Sequence, residues 1–394
     1  MTQPQRHDAH AERASDTTVT GDTAVAPLVA SPTYPHPPNR GDKLRWRALL
    51  TRLGELMPLS AVFGFTSGRD VRDDAFERSF QSLQIVPVHV LRIAWTMASL
   101  ELRGQPSVFG RLATPSWRSR VLAASSPGSP VLLLGPSASA VPELPSPALL
   151  DLIDVKSRVR TVGGDRVDQG LLASELSFAR RFRVVLASEE DRDWLVRHGA
   201  DETRLVVIHN GVDPKLFTAA RHPTPGRLVF VGNFLYEPNR EALSWFLRQC
   251  WPALQADRNG VSLRVVGYGA DRLARPEPPV EIFANVPDVL PHYEAAAVAI
   301  APIHSAMGVQ NKVIEAMAAG LPVVCTSPVS RGLSDGHPAV VADERETFIA
   351  ACRTLLADEA RRVELGRRGR DYALRSHDWN TSAHLLRDVL RSTH

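Results

Sequence analysis

The sequence predicts an α/β chain built from two Rossmann-like halves, and three observations predict it. Short, continuously apolar runs alternate with amphipathic stretches from Val25 onward. The alternation is broken by the Pro-, Thr- and Gly-bearing stretch PKLFTAARHPTPG (214–226) and then restarts. The length, 394 residues, exceeds what one ordinary core holds. Strands that are apolar throughout, rather than at alternate residues, belong to parallel sheets covered by helices on both faces.

In the first half, VAPLVAS reads as a strand, PTYPHPPNRGDK as a loop and LRWRALLTRLGEL as a helix. LSAVFGF, LQIVPVHV, VLLLGPS and ALLDLIDV follow as buried strands, then DQGLLASELSFARRF as a helix, RVVLAS as a strand and EEDRDWLVRHG as a helix. RLVVIHNGVD ends the half as a strand and a turn, since Asn-Gly is a strong turn signal. The second half repeats the theme with strands RLVFVGN, SLRVVGYG, VEIFANV, AVAIAPI, LPVVCTS and AVVAD. Its helices are NREALSWFLRQCWPALQA, VLPHYEAA and a short one within SAMGVQNKVIEAMAAGLPVV, and residues 343–392 are nearly all helical. The expected organisation is a disordered leader at 1–24, halves at 25–213 and 227–375 joined by a linker at 214–226, and a terminal helix at 376–394. Ligands of such folds sit at the carboxyl ends of the strands, in the cleft between the halves.

Composition narrows the function. Hydrophobic residues at 44% and charged residues at 23% are ordinary for a globular protein, and the net charge is +3 with a pI near 8.9. No aromatic-plus-basic stripe or zinc spacing points to nucleic acid. Cys250, Cys325 and Cys352 fit neither a disulfide framework nor a metal knuckle and read as buried apolar residues in a reducing compartment. No apolar run reaches the roughly 18–20 residues of a membrane span, and the leader lacks a signal-peptide core, so a cytoplasmic location is expected. There are four lysines, Lys43, Lys156, Lys215 and Lys312, in a chain that otherwise uses arginine.

One of those lysines lies in SAMGVQNKVIEAMAAGLPVV. Gly308 lets backbone approach a ligand, and the first turn after it offers free N–H groups and a positive dipole end, which together suit an anion. Lys312 adds a point charge suited to phosphate, and Glu315, about one turn deeper, can reach a neutral hydroxyl-bearing group beside it. Gly320 and Pro322 end the helix. Phosphate at the tip and ribose at the side describe a nucleoside diphosphate. The competing reading is an i,i+3 ion pair between Lys312 and Glu315; AVAIAPI, which places the loop at a strand's carboxyl end, favours the ligand.

GVQNKVIEAMAAGLPVV also resembles the donor-site signature of family 4 retaining glycosyltransferases of the GT-B fold, nearest the exosortase-associated bacterial branch. PPNRGDKLRWRALL, VLASEEDRDWL, VIHNGVD and FVGNFLYEPNREALSWF are similar to other parts of that branch. The resemblance implies two domains facing across a cleft, with acceptor bound by 25–213 and a nucleotide-sugar donor by 227–375. By the same resemblance, Glu315 holds the donor ribose, and Gly308, Val309 and Gln310 meet the diphosphate and sugar. Gly232 and Gly267 bring backbone to the nucleotide, and Gly41 faces the phosphates from the first half. The implied co-substrate is a nucleotide-diphosphate sugar, with no metal and no other cofactor, and the acceptor a polysaccharide, lipid-linked carrier or small natural product.

Departures from the family pattern bear on activity. Met307 stands where the family has a sugar-contacting glutamate, and Asn233 and Asn239 stand where it has phosphate-binding Arg and Lys. Phosphate charge then falls to Lys312, the helix dipole and Lys43 or Arg45. A non-catalytic nucleotide-sugar binder, a pseudo-glycosidic coupling enzyme of the same fold and a nucleotide-sugar epimerase are the alternatives.

Lys312 and Asp154 are the catalytic candidates. Asp151 and Asp154 in DLIDVK end a strand, where a carboxylate could orient the acceptor hydroxyl or stabilise the sugar cation; a helix cap or a salt bridge to Lys156 or Arg158 is the favoured alternative. His304 precedes the donor loop and either touches sugar or phosphate or is satisfied within the loop. His209 reads as a hinge residue. Asp191-Arg192-Asp193 has the spacing of a metal motif but opens a helix, where acidic residues complement the dipole. RWRALLTRLGELM and EARRVELGRRGR carry basic faces that either dock on anionic lipid at the inner membrane face or, the favoured reading, are solvated. Trp379 in SHDWNTSAHLLRDVL resembles the family's closing helix, which crosses back to the first half; by itself it reads as a core aromatic.

Overall fold

The computed structural model describes residues 26–38, 41–89, 93, 112–141, 144–145, 147–158, 167–256, 260–273, 279–305 and 308–393. The expected leader and Met307 lie outside them.

The first half contains β1 (Leu28–Ser31), α1 (Gly41–Leu56), β2 (Ser60–Phe65), α2 (Asp74–Glu77), β3 (Ser82–Pro87), α3 (Pro115–Ala124), β4 (Val131–Leu134), β5 (Ala148–Ile153), α4 (Gln169–Arg181), β6 (Arg183–Leu186), α5 (Glu189–Arg197) and β7 (Leu205–Val207). Its sheet is parallel throughout, in the order β3-β2-β1-β4-β5-β6-β7. β1 and β4 are buried at every residue, as continuous apolar strands between two helical layers must be. Side chains start the helices: Asp168 accepts from the Leu171 amide, Ser188 from Asp191 and Thr114 from Trp117.

The second half holds β8 (Arg227–Val231), α6 (Glu237–Trp245), α7 (Trp251–Gln255), β9 (Ser262–Gly267), β10 (Val280–Ala284), α8 (Leu290–Glu294), β11 (Val298–Ala301), α9 (Asn311–Ala318), β12 (Val323–Cys325), α10 (Ser327–Ser330), β13 (Val340–Val341), α11 (Arg345–Ala357) and α12 (Glu359–Ser376). Its sheet, again parallel, runs β10-β9-β8-β11-β12-β13. The expected helix over 239–256 is not uniform. A π-helical turn, Phe246–Cys250, joins α6 to α7. Pro252 explains it, because its ring clashes with the carbonyl four residues back and the backbone widens to let it pass.

In both sheets the strand order reverses once, between β1 and β4 and between β8 and β11. The carboxyl ends at that reversal are where doubly wound sheets form ligand crevices. α6, which follows β8, and α9, which follows β11, meet there, with Asn239 holding Lys312.

The closing helix α13 (Trp379–Arg391) crosses back. Trp379, Ala383, Leu386, Val389 and Leu390 join Trp46, Leu49, Leu50 and Leu53 of α1 in one apolar cluster. Gly211 makes the crossing possible, since a Cβ there would lie 2.5 Å from the Trp379 ring.

α1 corrects two expectations. Lys43 is buried and donates to Asp70 at 2.6 Å, and Arg45, 1% exposed, is held by Asp151 at 3.0 Å, the Ile208 carbonyl at 2.8 Å and Asn210 at 2.9 Å. Neither is free to meet phosphate. Arg47 pairs with Asp73 and Arg52 with Glu55. Carboxylates thus neutralise the basic residues of α1, and its apolar face lies under α13, in keeping with the favoured reading of a solvated polar face.

Candidate functional site

The site is built around α9, eight residues long. Val313, Ile314, Ala316, Met317 and Ala318 are buried, and the small side chains let the helix press on its sheet. Gly320 at φ +77° closes it with a Schellman pair: the Gly320 amide donates to Met317 and the Leu321 amide to Ala316. The remaining carbonyls receive two guanidiniums. Arg370 of α12 donates to Ala318, Ala319 and Ala219, and Arg221 of the linker to Gly320 and Ala296. Neither arginine has a carboxylate within ion-pair distance among the described residues. Burial and the neighbouring Arg370 push Arg221 down to about 10. α12 reaches this end through Gly366, where a Cβ would lie 2.2 Å from the Gly320 carbonyl. Two cations thus complement the negative end of the α9 dipole.

The other end of α9 faces the cleft. No side chain caps it. Gly308 precedes it at φ +63°, and Gly332 backs onto Gly308 so closely that a Cβ would lie 2.5 Å from its carbonyl oxygen. Asn210 of the first half donates to Asn311 at 3.4 Å. Since Asn210 also accepts from Arg45, a polar chain runs from the buried Arg45–Asp151 pair to the first residue of α9.

Lys312 and Glu315 do not form the i,i+3 ion pair that the spacing allows. Lys312 Nζ donates instead to Asn239 Oδ1 at 2.6 Å and Gln310 Oε1 at 3.2 Å. Both partners are neutral, and no carboxylate lies within ion-pair distance of Lys312 among the described residues. Desolvation, partly offset by Glu315, pushes its ammonium down to about 7. Glu315 accepts from Tyr293 Oη at 3.3 Å, and burial raises its carboxyl above the usual range. Tyr293, 1% exposed, also donates to the Lys312 carbonyl at 3.1 Å. Glu315 borders a cavity of about 480 Å³ that Val286, Val289, Arg47, Thr51 and Trp379 also line.

Other predicted residues fall into place differently. Asn239 is 3% exposed; its Nδ2 donates to the Asn233 carbonyl at 2.7 Å while its Oδ1 holds Lys312. Asn233 Oδ1 accepts from the Leu235 amide. The two asparagines therefore shape the loop after β8 and aim a lysine from another element. A Cβ on Gly232 would lie 3.2 Å from Asn239 Nδ2, and one on Gly267, at φ +142°, would lie 2.0 Å from the Gly232 carbonyl. The lack of a side chain at Gly267 is thus required by the neighbouring strand's backbone, a reason the sequence reading did not supply. Val309 and Gln310 are half-buried beside Gly308, and Gly41 opens α1 with free space around its Cβ position. His304 is satisfied in its loop: Nε2 lies 3.1 Å from the Asp343 carbonyl and its ring against Trp245.

Among the carboxylates, Asp151 is committed to Arg45 and Asp154 is near Lys156 at 3.5 Å. Arg158 pairs with Glu190 and Asp191. Asp191 takes its first-turn place under Ser188, and His209 bridges the Ala187 carbonyl and Glu189. Among the described residues, no cluster of three or more His, Cys, Asp or Glu side chains is arranged to hold a metal. Sequence reasoning missed Tyr293, Arg221 and Arg370, each of which reaches α9 from a distant segment.

Two parallel sheets facing across a cleft, with terminal helices crossing back, are the GT-B fold of glycosyltransferases. Solved structures agree: Anabaena Alr3699/HepE in complex with UDP matches at TM-score 0.65 and 15% identity, over 93% of this chain and 100% of that chain. Sucrose-phosphate synthase from Thermosynechococcus elongatus matches at TM-score 0.66 and 14% identity, over 93% and 98%. The Anabaena protein in complex with UDP-glucose gives 0.63 and 16%, over 93% and 99%. Residues 225–358, which contain β8 to α11, match the family described as Glycosyl transferases group 1. No curated protein matches the chain significantly.

Proposed function

We propose that the chain is a glycosyltransferase that moves a sugar from a nucleoside-diphosphate donor held by the second half to a carbohydrate, lipid-linked or small-molecule acceptor held by the first. The observation that carries this reading is Lys312, a half-buried cation with two neutral oxygen partners at the uncapped end of α9. A buried charge is ordinarily paired; a diphosphate supplies the missing counter-charge and the free N–H groups orient it. In this reading Glu315, which accepts from Tyr293, holds the ribose hydroxyls.

In the reaction the bond from the anomeric carbon to the phosphate oxygen breaks and its electron pair leaves on the nucleoside diphosphate. A bond from the acceptor oxygen to that carbon forms, and the acceptor's proton passes to the departing phosphate oxygen or to water. Lys312 and the helix end meet the charge that grows on the leaving group, the kind of preorganised stabilisation that dominates such catalysis. Retention of configuration, metal independence and kinship with the exosortase-associated branch of family 4 belong to this proposal and rest on the sequence resemblance.

Thermal shifts with a panel of nucleoside diphosphates and nucleotide sugars test it. A ligand at 100 times its Kd adds about 2.7 kcal/mol of stability. One nucleotide should shift the wild type and lose most of that shift in Glu315→Ala. If no nucleotide shifts the wild type, the reading fails. Release of nucleoside diphosphate from the donor separates a catalyst from a binding protein of the same fold.

A further inference from the structure

Asp154 follows a turn that the chain adopts at a cost. Ile153 has φ +69°, and the Asp154 amide donates to the Leu152 carbonyl at 3.0 Å, a γ-turn of the rare, strained hand. A β-branched residue is a genuine outlier in that conformation. The register between β5 and β6 shifts at the same place, between Asp151 and Ile153. Such strain persists only where the surroundings impose it, and it clusters at functional sites.

The turn sets the Asp154 carboxylate against the cleft end of α9. Its Oδ1 lies 3.3 Å from where a Cβ of Gly308 would stand. Lys156, 3.5 Å away, is its ion-pair partner, and the two side chains stay 40% and 39% exposed. Tyr236, in the loop after β8, is close enough that the Asp154 charge adds to burial in raising its hydroxyl's pKa.

A carboxylate beside an anion site opposes the anion. The arrangement becomes favourable when the group attached to that anion turns positive, as a sugar does when its diphosphate leaves. Resting on the nucleotide-sugar reading above, we propose that Asp154 borders the subsite of the transferred sugar. There it stabilises the positive charge that develops on the ring and selects neutral or amino sugars over sugars bearing a carboxylate. Asp154 forms no covalent bond and takes no proton in this role. An extra negative charge on the sugar meets a like charge that Lys156 only partly offsets. Such juxtapositions are costly enough to weaken binding by about tenfold or more.

The test uses the full chain and Asp154→Asn, which keeps the shape of a part-exposed side chain. Affinities for UDP, UDP-glucose and UDP-glucuronate are measured by calorimetry, and release of UDP from UDP-glucose in water is followed. If the panel selects guanine, GDP, GDP-mannose and GDP-mannuronate replace them. The wild type should bind the uronate about tenfold or more weakly than the neutral sugar. Asp154→Asn should shrink that gap to about threefold or less, bind the nucleoside diphosphate at least as tightly as the wild type and slow release by about 100-fold. A wild type without the gap, or a variant with the gap and rate unchanged, overturns the role of Asp154 while leaving nucleotide binding intact. A wild type that binds none of these nucleotides overturns the nucleotide reading itself, and this inference with it.

Discussion

Binding of a nucleoside diphosphate should take up a proton, and Lys312 should be the group that takes it. Its ammonium is held by two amide oxygens, and burial brings its pKa down to about 7. At pH 8 about nine-tenths of the free protein therefore carries a neutral Lys312. A diphosphate beside Nζ favours the charged form and returns the pKa toward the ordinary lysine range. The sign follows: above pH 7 the lysine must be protonated before it can pair, so affinity falls as pH rises. From these values the loss is about twofold between pH 6 and 7 and about tenfold between pH 8 and 9. Calorimetry at pH 8 in buffers of low and high ionisation enthalpy should report uptake of about 0.9 proton per site. Lys312→Arg, which stays charged, should abolish both the uptake and the slope. Among the described residues Nζ meets the amides of Asn239 and Gln310 and lies 5.9 Å from the Phe230 ring, and the charge that acts on it is that of Glu315, which Glu315→Gln removes. Uptake below about 0.2 proton in the wild type, or an unchanged slope in Lys312→Arg, would refute the reasoning.

Two further predictions concern stability. Gly267→Ala should lower the urea-unfolding free energy by about 3 kcal/mol, because its Cβ meets the Gly232 carbonyl at 2.0 Å and φ is +142°; a change within about 0.5 kcal/mol would mean that β8 and β9 can separate without penalty. Arg45→Met strands Asp151 in the interior and should cost about 3–5 kcal/mol in the same assay. Adding Asp151→Leu should recover most of that loss, and no recovery would show that the loss comes from Asn210 and the Ile208 carbonyl instead.

Strands and helices were readable where one local signal decided them. β1, β4, β8 and β11 are apolar runs with nothing to satisfy but their own backbone, and α9 carries its stop signal in Gly320 and Pro322. The candidate site was readable only in part, because Gly308, Lys312 and Glu315 lie within eight residues of chain. Lys43 and Arg45 looked like free cations since their partners, Asp70 and Asp151, are 27 and 106 residues away. Asn239 reads in the sequence as a lost phosphate ligand, whereas in the fold it holds Lys312, 73 residues downstream. Gly267 shows that a glycine at a strand end can be needed by a neighbouring strand as readily as by a ligand. Tyr293 had no signal at all: a tyrosine in a short helix announces neither its burial nor the carboxylate it meets.

The two arginines at the far end of α9 have a mechanical consequence. Arg221 belongs to the linker between the halves, and Arg370 to the helix that leads into α13, so both chain crossings are fastened to one end of the same short rod. A helix of eight residues is about 12 Å long. A rotation of the halves about those crossings would therefore pivot at the fastened end, and the cleft end of α9 would keep its place on its own sheet while Asp154, in the first half, moved relative to it.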